Sequence, residues 1–305
     1  MKEKNTVTEK LVEAFNFLKD KLSIRYLINE ITGIKVNMKD SLKIAIAGAT
    51  GYVGLELVKI LSQHPRVKII YLLANKSAGK SIYLFDKKIK KKKLPKITKI
   101  ANMKMSKVDV IFSALPNGEA HKIAKKLNNG NRLIDLSADF RITNPRVYKK
   151  WYGKEHQSKN LINKSLYSLT EFVRKEIKKH KIISCPGCYP TSIQLPLVPI
   201  IKSNLIKTNS ILIDSKSGYS GAGKNIKKKF HFKKLLDSVS SYGIGSHRHM
   251  PEIDQELMKA AKRNVKITFT PHLIPMFRGI LSTIYLDVKK KVFCKIYIFL
   301  FKKIS

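Results

Sequence analysis

The stretch Leu42-Lys43-Ile44-Ala45-Ile46-Ala47-Gly48-Ala49-Thr50-Gly51-Tyr52-Val53-Gly54-Leu55-Glu56-Leu57-Val58-Lys59-Ile60-Leu61 leaves few folds open. Residues 42–47 are largely apolar, the pattern of a strand buried on both faces of a parallel sheet. They run into Gly48, Gly51 and Gly54, and then into apolar residues at helical spacing. The G-x-x-G-x-x-G spacing differs from the commoner G-x-G-x-x-G, but the physics is shared. The glycines allow a tight turn, close approach to a pyrophosphate and packing of helix on strand. The free N–H groups of the helix start then face the phosphates. Strand, loop and helix in this order predict a dinucleotide site at Gly48, Thr50, Gly51, Tyr52, Val53 and Gly54. The competing reading is a strand-to-helix turn that binds nothing.

A second strand is predicted over residues 67–73. An Asp or Glu at its end would hold the ribose 2′-hydroxyl of NAD. Here the chain reads Ala74-Asn75-Lys76-Ser77-Ala78-Gly79-Lys80, with no acid. Lys76 and Ser77 suit a 2′-phosphate, so the cofactor expected is NADP(H). Further strands are predicted over 108–113 and 133–137, with a helix over 119–127 between them. The alternation predicts an α/β fold, a Rossmann-type doubly wound parallel sheet spanning residues 41–184. Ligands gather at the C-terminal ends of its strands.

Ser184-Cys185-Pro186-Gly187-Cys188-Tyr189-Pro190-Thr191 follows the apolar pair Ile182-Ile183. It reads as strand, sharp turn and helix, with Thr191 and Ser192 as candidate caps. A thiol at a helix start lies where the dipole favours the thiolate, which makes Cys188 a candidate nucleophile. Two other readings stand beside this one. Cys185 and Cys188 form a C-x-x-C pair, suited to redox chemistry or half a zinc site, although Cys294 is the only other cysteine. A buried cysteine with a packing role is the other.

Residues 185–288 predict a second, α+β domain with a mixed sheet. A strand over 211–215 leads into Lys216-Ser217-Gly218-Tyr219-Ser220-Gly221-Ala222-Gly223-Lys224, a loop whose Ser217 and Gly218 can approach a cofactor. Next comes His247-Arg248-His249-Met250-Pro251-Glu252, just before a helix that Pro251 starts. Its histidines are candidate proton carriers, with His247 preferred over His249. Zinc is the alternative, but histidines two apart need further ligands that nothing nearby supplies. No metal is expected. Arg278, beside Gly279, is a candidate anion clamp, as are Arg141 and Arg248.

The formal charge of +40 invites a nucleic-acid reading. Yet 52 of the 61 basic residues are lysines, spread along the chain. Readers of bases and phosphates lean on arginine's planar fork. A general positive potential steers anionic substrates instead. The expected partner is therefore a small molecule, with no specific nucleic acid. No run of 18 apolar residues is present, so no membrane span is expected. Residues 1–40 read as an N-terminal extension too acidic for a transit peptide, and a start at Met38 is an alternative to Met1. Lys289 to Ser305 form an atypical tail that reads like translation in a shifted frame. With so few cysteines the cytoplasm is the expected compartment.

The segments G-A-T-G-Y-V-G-x-E-L, L-S-A-D-F-R, P-G-C-Y-P-T, S-G-x-S-G-A-G, H-R-H-x-P-E-I and P-M-x-R-G-I-L, in this order between about residues 42 and 287, resemble the N-acetyl-gamma-glutamyl-phosphate reductase family. That family shares a fold group with aspartate-semialdehyde dehydrogenase and glyceraldehyde-3-phosphate dehydrogenase. The resemblance implies NADPH-dependent reduction of N-acetyl-L-glutamyl 5-phosphate to the 5-semialdehyde in arginine biosynthesis, through a thioester. It implies Cys188 as nucleophile, a catalytic histidine in His247-Arg248-His249, and a homo-oligomer, dimer or tetramer. The sequence departs from the family pattern at Cys185 and in the tail. The tail motivates an alternative, an inactive truncated paralogue; the charge motivates another, a basic nucleic-acid-binding protein.

Overall fold

The computed structural model describes residues 41–89, 93–222 and 237–289. The extension 1–40, the centre of the lysine run at 90–92, the end of the glycine-serine loop and the tail from 290 lie outside the described residues.

The first sheet has seven strands, all parallel: β1 (Leu42–Ala47), β2 (Val67–Leu73), β3 (Ile97–Thr98), β4 (Val110–Ser113), β5 (Arg132–Asp135), β6 (Ser165–Tyr167) and β7 (Ile182–Ser184). Their spatial order is β3-β2-β1-β4-β5-β7-β6. The order reverses between β1 and β4, so the crevice for a ligand opens where the loops after these two strands part. The register puts the last residues of four strands in one row: Ala47 beside Ser113, Ser113 beside Asp135, and Asp135 beside Ser184. The glycine loop, the Ala114-Leu115-Pro116-Asn117 loop, the Leu136–Arg141 loop and the cysteine turn therefore leave the sheet at one level.

Helix α1 (Tyr52–Ser62) buries Leu55, Leu57, Val58 and Leu61 against the sheet. Each such side chain contributes about 1.5–3 kcal/mol. The sequence-predicted helix over 119–127 is the shorter α2 (Ala120–Ala124), which buries its Ala120 and Ile123 beside Leu133. Three further helices, α3 (Pro145–Tyr152), α4 (Lys159–Ile162) and α5 (Thr170–Ile177), lie between β5 and β7.

Helix α6 (Cys188–Lys202) crosses to the second sheet, and helix α7 (Met250–Ala261) packs beside it. Their apolar residues, among them Ile193, Leu197, Ile253 and Leu257, share a core with Ile211, Ile213 and Phe269 of the sheet. That sheet comprises β8 (Ile206–Gly218), β9 (Ser240–Ser241), β10 (Ile267–Ile274) and β11 (Ile280–Val288), in the order β11-β8-β10-β9. It is mixed: β10 runs parallel to β8, while β11 runs antiparallel to it. The fold is thus a Rossmann-type sheet joined to a mixed sheet. Strand β8 is longer than the pattern over 211–215 predicts. It continues through Ser217 and Gly218, because β10 pairs with both and β11 with Ser217.

Candidate active site

The glycine loop stands at the switch point. Gly48 has φ +80°, and a Cβ there would lie 2.4 Å from the carbonyl oxygen of Ala114 after β4. A Cβ on Gly54 would lie 2.1 Å from the Gly48 oxygen, so helix and loop touch backbone to backbone. Gly51 is the N-cap of α1 and offers no side-chain cap, which leaves the helix start facing the cleft. The cleft, of about 1010 Å³, is lined by Gly48, Thr50, Gly51, Asn75, Lys76 and Ser77 among others. Bare amides at a helix mouth beside a lysine fit a dinucleotide. Tyr52 turns elsewhere, edge-on to Phe277 at 6.1 Å. Val53, half exposed, lines a second cavity.

That second cavity, of about 290 Å³, brings together Cys188, His247, Arg248, His249, Arg141 and Ser217. It shares Ala114, Leu115, Asn117, Tyr152, Gly221 and Arg248 with the larger cleft, so the two form one continuous groove. Gly218 lines neither. A Cβ there would meet the backbone of residues 276–278 at 2.9 Å, which gives this glycine a packing reason.

Cys188 is the first residue of α6, with Gly187 as N-cap. The expected caps act differently. Thr191 Oγ1 donates back to the Gly187 carbonyl and Ser192 Oγ to the Tyr189 carbonyl, each at 2.9 Å. The helix starts earlier than the caps require, no side chain caps its first turn, and the Cys188 and Tyr189 N–H groups are directed at the Cys188 sulfur. Cys188 is exposed as a residue, yet the protein packed around its sulfur pushes the thiol up; the Tyr189 N–H and the Arg141 charge oppose this without overcoming it. Burial around the sulfur thus acts against the helix mouth, which the sequence expectation counted alone. Cys185 packs against the first core, and burial pushes its thiol up to about 12.

His247 and His249 stand ring to ring at 4.9 Å. The His249 backbone N–H donates to His247 Nδ1 at 3.1 Å, which assigns the neutral ring's proton to Nε2. Burial, then Arg248, pushes His247 down to about 4. Burial, then Arg141, holds His249 well below the ordinary histidine value. The His249 ring lies against Gly187 so closely that a Cβ there would stand 2.6 Å from its Nε2. Tyr189 and Tyr242 meet His247 edge-on, and their hydroxyls are 2.9 Å apart.

The three arginines part company. Arg248 is exposed at the junction of the two cavities, and its guanidinium has no hydrogen bond or ion pair among the described residues. Arg141 is buried. Its Nε donates to the Cys185 carbonyl at 2.7 Å, its Nη2 to the Leu136 carbonyl at 2.8 Å, and its Nη1 faces Glu252 Oε2 at 3.6 Å. Arg278 lies outside the reaction cavity, where Nη2 pairs with Glu56 of α1 at 2.7 Å. The structure thus gives Arg278 a carboxylate of its own chain.

Sequence reading passed over the acids that hold the loops. Asp139 accepts from the Gly118 N–H at 2.7 Å, the Ala120 N–H at 3.0 Å and the Tyr148 hydroxyl at 3.0 Å. Asn117 Oδ1 accepts from the Ala138 N–H at 3.1 Å. The loops after β4 and β5 are fastened together this way, and both line the reaction cavity. Asp135, fully buried, is pushed up to about 6 by burial and by the charge of Asp139. Only the local L-S-A-D-F-R string marked these positions; spacing did not reveal their partners. Among the described residues no group of three or more His, Cys, Asp or Glu is placed to hold a metal.

Known proteins resemble both the sequence and the fold. A semialdehyde dehydrogenase NAD-binding domain matches residues 43–180, and a semialdehyde dehydrogenase dimerisation domain matches residues 188–302. A probable N-acetyl-gamma-glutamyl-phosphate reductase of Arabidopsis thaliana, chloroplastic, is 42% identical over 253 residues, 83% of this chain and 63% of the relative. The reductase of Ehrlichia canis is 44% identical over 254 residues, 83% of this chain and 73% of the relative. Aspartate semialdehyde dehydrogenase II of Vibrio cholerae shares the fold at a TM-score of 0.60 and 18% identity, over 83% of this chain and 76% of that one. The same enzyme of Candida albicans, solved with NADP, does so at 0.54 and 18%, over 83% and 73%. The nucleic-acid-binding and inactive-paralogue alternatives draw no support from these relatives. With this identity along both domains, the chain belongs to the N-acetyl-gamma-glutamyl-phosphate reductase family of oxidoreductases.

Proposed function

We propose that this chain carries out the NADPH-dependent reduction of N-acetyl-L-glutamyl 5-phosphate to N-acetyl-L-glutamate 5-semialdehyde and phosphate, in arginine biosynthesis. The observation that carries this reading is the shared wall of the two cavities: a thiol, two histidines and an unpaired arginine open directly onto a cleft floored by glycines. Lys76 and Ser77 at the β2 end, with no acid beside them, support NADP over NAD.

The residues divide the work. Arg248 holds the substrate's anionic groups, and Arg141 backs the turn. At rest Cys188 is a thiol and both imidazoles are neutral. His247 Nε2 already carries a proton, so the thiol proton passes to His249, whose Nδ1 has no hydrogen-bond partner among the described residues, as the acyl phosphate arrives. The thiolate attacks the acyl carbon, and the C–O bond to phosphate breaks, leaving a thioester on Cys188. The N–H groups at the α6 start and the His247 Nε2–H meet the oxygen on which charge collects. The phosphate leaves with the proton His249 held. NADPH supplies a hydride to the thioester when bound. Collapse of the resulting thiohemiacetal to the aldehyde returns the thiolate; because the first proton left with phosphate, the thiol is restored by a proton taken up from water through His249.

The exposed side chains of Leu212, Leu281 and Tyr285 on β8 and β11 support self-association through this sheet, a dimer at least. Burying such a face is favourable at about 25 cal/mol per Å². A reducing cytoplasm suits the free thiol. Among the described residues no helix is long and apolar enough to cross a membrane.

The test follows NADPH formation from NADP⁺, phosphate and the semialdehyde. Cys188→Ala abolishes it, and Cys185→Ala retains it. Full activity in both variants overturns the reading.

A further inference from the structure

We infer that Glu252 is a positioning residue for the nucleophile, acting with Arg141 as a two-handed clamp on the Cys185-Pro186-Gly187-Cys188 turn. The inference rests on Cys188 being the nucleophile, as proposed above. Glu252 lies in the first turn of α7, is fully buried, and is 65 residues from the turn it touches. Its Oε1 accepts from the Gly187 N–H at 2.8 Å and from the Tyr167 hydroxyl at 2.8 Å. Its Oε2 accepts no hydrogen bond and faces Arg141 Nη1 at 3.6 Å. Arg141, 7% exposed, in turn holds the Cys185 carbonyl through Nε. One charged group therefore grips the turn before its proline and the other grips it after.

Two buried charges are costly to bring together, and an ion pair alone is a weak reason for stability. Here the pair is spent on a backbone turn with no side-chain cap of its own. Helix α7 carries the further consequence. His249 is its N-cap, and Glu252 is three residues on. The carboxylate thus ties the histidine loop to the cysteine turn as one unit, and the His249 ring closes against Gly187. The clamp sets the direction of the Cys188 sulfur relative to the first N–H groups of α6. Glutamine at 252 keeps the volume but, whichever way the amide is turned, its N–H₂ faces a donor, Arg141 on one side or the Gly187 N–H and Tyr167 hydroxyl on the other.

The test separates geometry from folding by two reagents. Acylation of Cys188 by p-nitrophenyl acetate forms the S–C bond, breaks the ester C–O bond and releases p-nitrophenolate, while the thiol proton passes to buffer. It needs the sulfur aimed beside the N–H cradle. Alkylation by iodoacetamide needs only an accessible thiolate. In Glu252→Gln we expect acylation to fall about 10- to 100-fold while alkylation stays within about threefold, since a displacement near 1 Å costs about that much. Arg141→Met does the same, and the double variant is no slower than the slower single one, because both act on one turn. Tyr167→Phe, which removes one donor to Oε1 without changing charge, lowers acylation about 3- to 10-fold and carries the test if the charge variants do not fold. An unchanged ratio of acylation to alkylation, equal loss of both, or additive single effects overturns the clamp. Absence of phosphate-dependent NADPH formation in the unaltered protein overturns the proposed reaction instead, and leaves the two-reagent result standing.

Discussion

Gly48 and the carbonyl oxygen of Ala114 meet across the switch point of the parallel sheet with no room for a Cβ, which would stand 2.4 Å away. The contact joins the loop after β1 to the loop after β4, and the larger cleft lies beside it. At φ +80° a side chain is also strained whatever the space. Gly48→Ala is expected to cost about 1–2 kcal/mol from the left-handed backbone alone, and more from the clash. The KM for NADP(H) rises with little change at the thiol. Chemical denaturation and cofactor titration measure the two effects; an unaltered KM counts against the cleft as the cofactor site.

Arg248 and Arg278, both exposed, make opposite predictions. Arg248→Ala removes the unpaired cation of the cavity wall and is expected to raise the KM for the acyl substrate at least about tenfold, the loss of a charge-assisted hydrogen bond. Arg278→Ala breaks an exposed pair with Glu56 and is expected to cost about 1 kcal/mol or less. Its kcat/KM stays near that of the parent. Steady-state kinetics on both variants decide, and a larger kinetic loss in Arg278→Ala reverses the assignment.

Desolvation at Cys188 makes a prediction about pH. Alkylation of the cofactor-free protein is expected to rise through a midpoint above the ordinary thiol value of about 8.5. A preformed thiolate–imidazolium pair would place the midpoint far lower. The pH dependence of the iodoacetamide rate reads this directly.

His247 also affects stability. Its folded pKa of about 4 lies below the ordinary histidine value, so the unfolded chain binds the proton more readily. The stability that follows from a neutral His247 is present above about 6.5 and is lost as pH falls toward about 4. His249 and His156, both lowered by burial, act in the same direction. Asp135, raised to about 6, opposes them and gains stability as pH falls. Denaturation midpoints between pH 7 and 4 are therefore expected to fall less steeply in His247→Gln than in the parent. Parallel curves would show that folding does not lower the proton affinity of His247.

Local reading went furthest where the physics is local. The β1–α1 unit needs an apolar strand, glycines at three positions and a helix with one apolar face, and all are adjacent in the chain. Strand β2 matches its predicted limits, residues 67–73. The Thr191-Ser192 caps failed for a local reason as well: hydroxyls in a first turn can donate backward to a carbonyl as readily as they accept. Arg278 shows a different limit. Arginine beside glycine looks like an anion site in one dimension, and Glu56, 222 residues away, already occupies it.

By itself the sequence determined the class of fold, the glycine turn between β1 and α1, the thiol at a helix mouth and the family. These depend on residue type at short spacing, where periodicity and backbone geometry act directly. Only the tertiary structure decided which charges are spent and which are free. Glu252 reaching Gly187, Arg141 held by carbonyls, Arg248 left open and Cys188 desolvated all depend on groups brought together from distant parts of the chain. Burial changes the energy of a charge far more than any neighbour in sequence does.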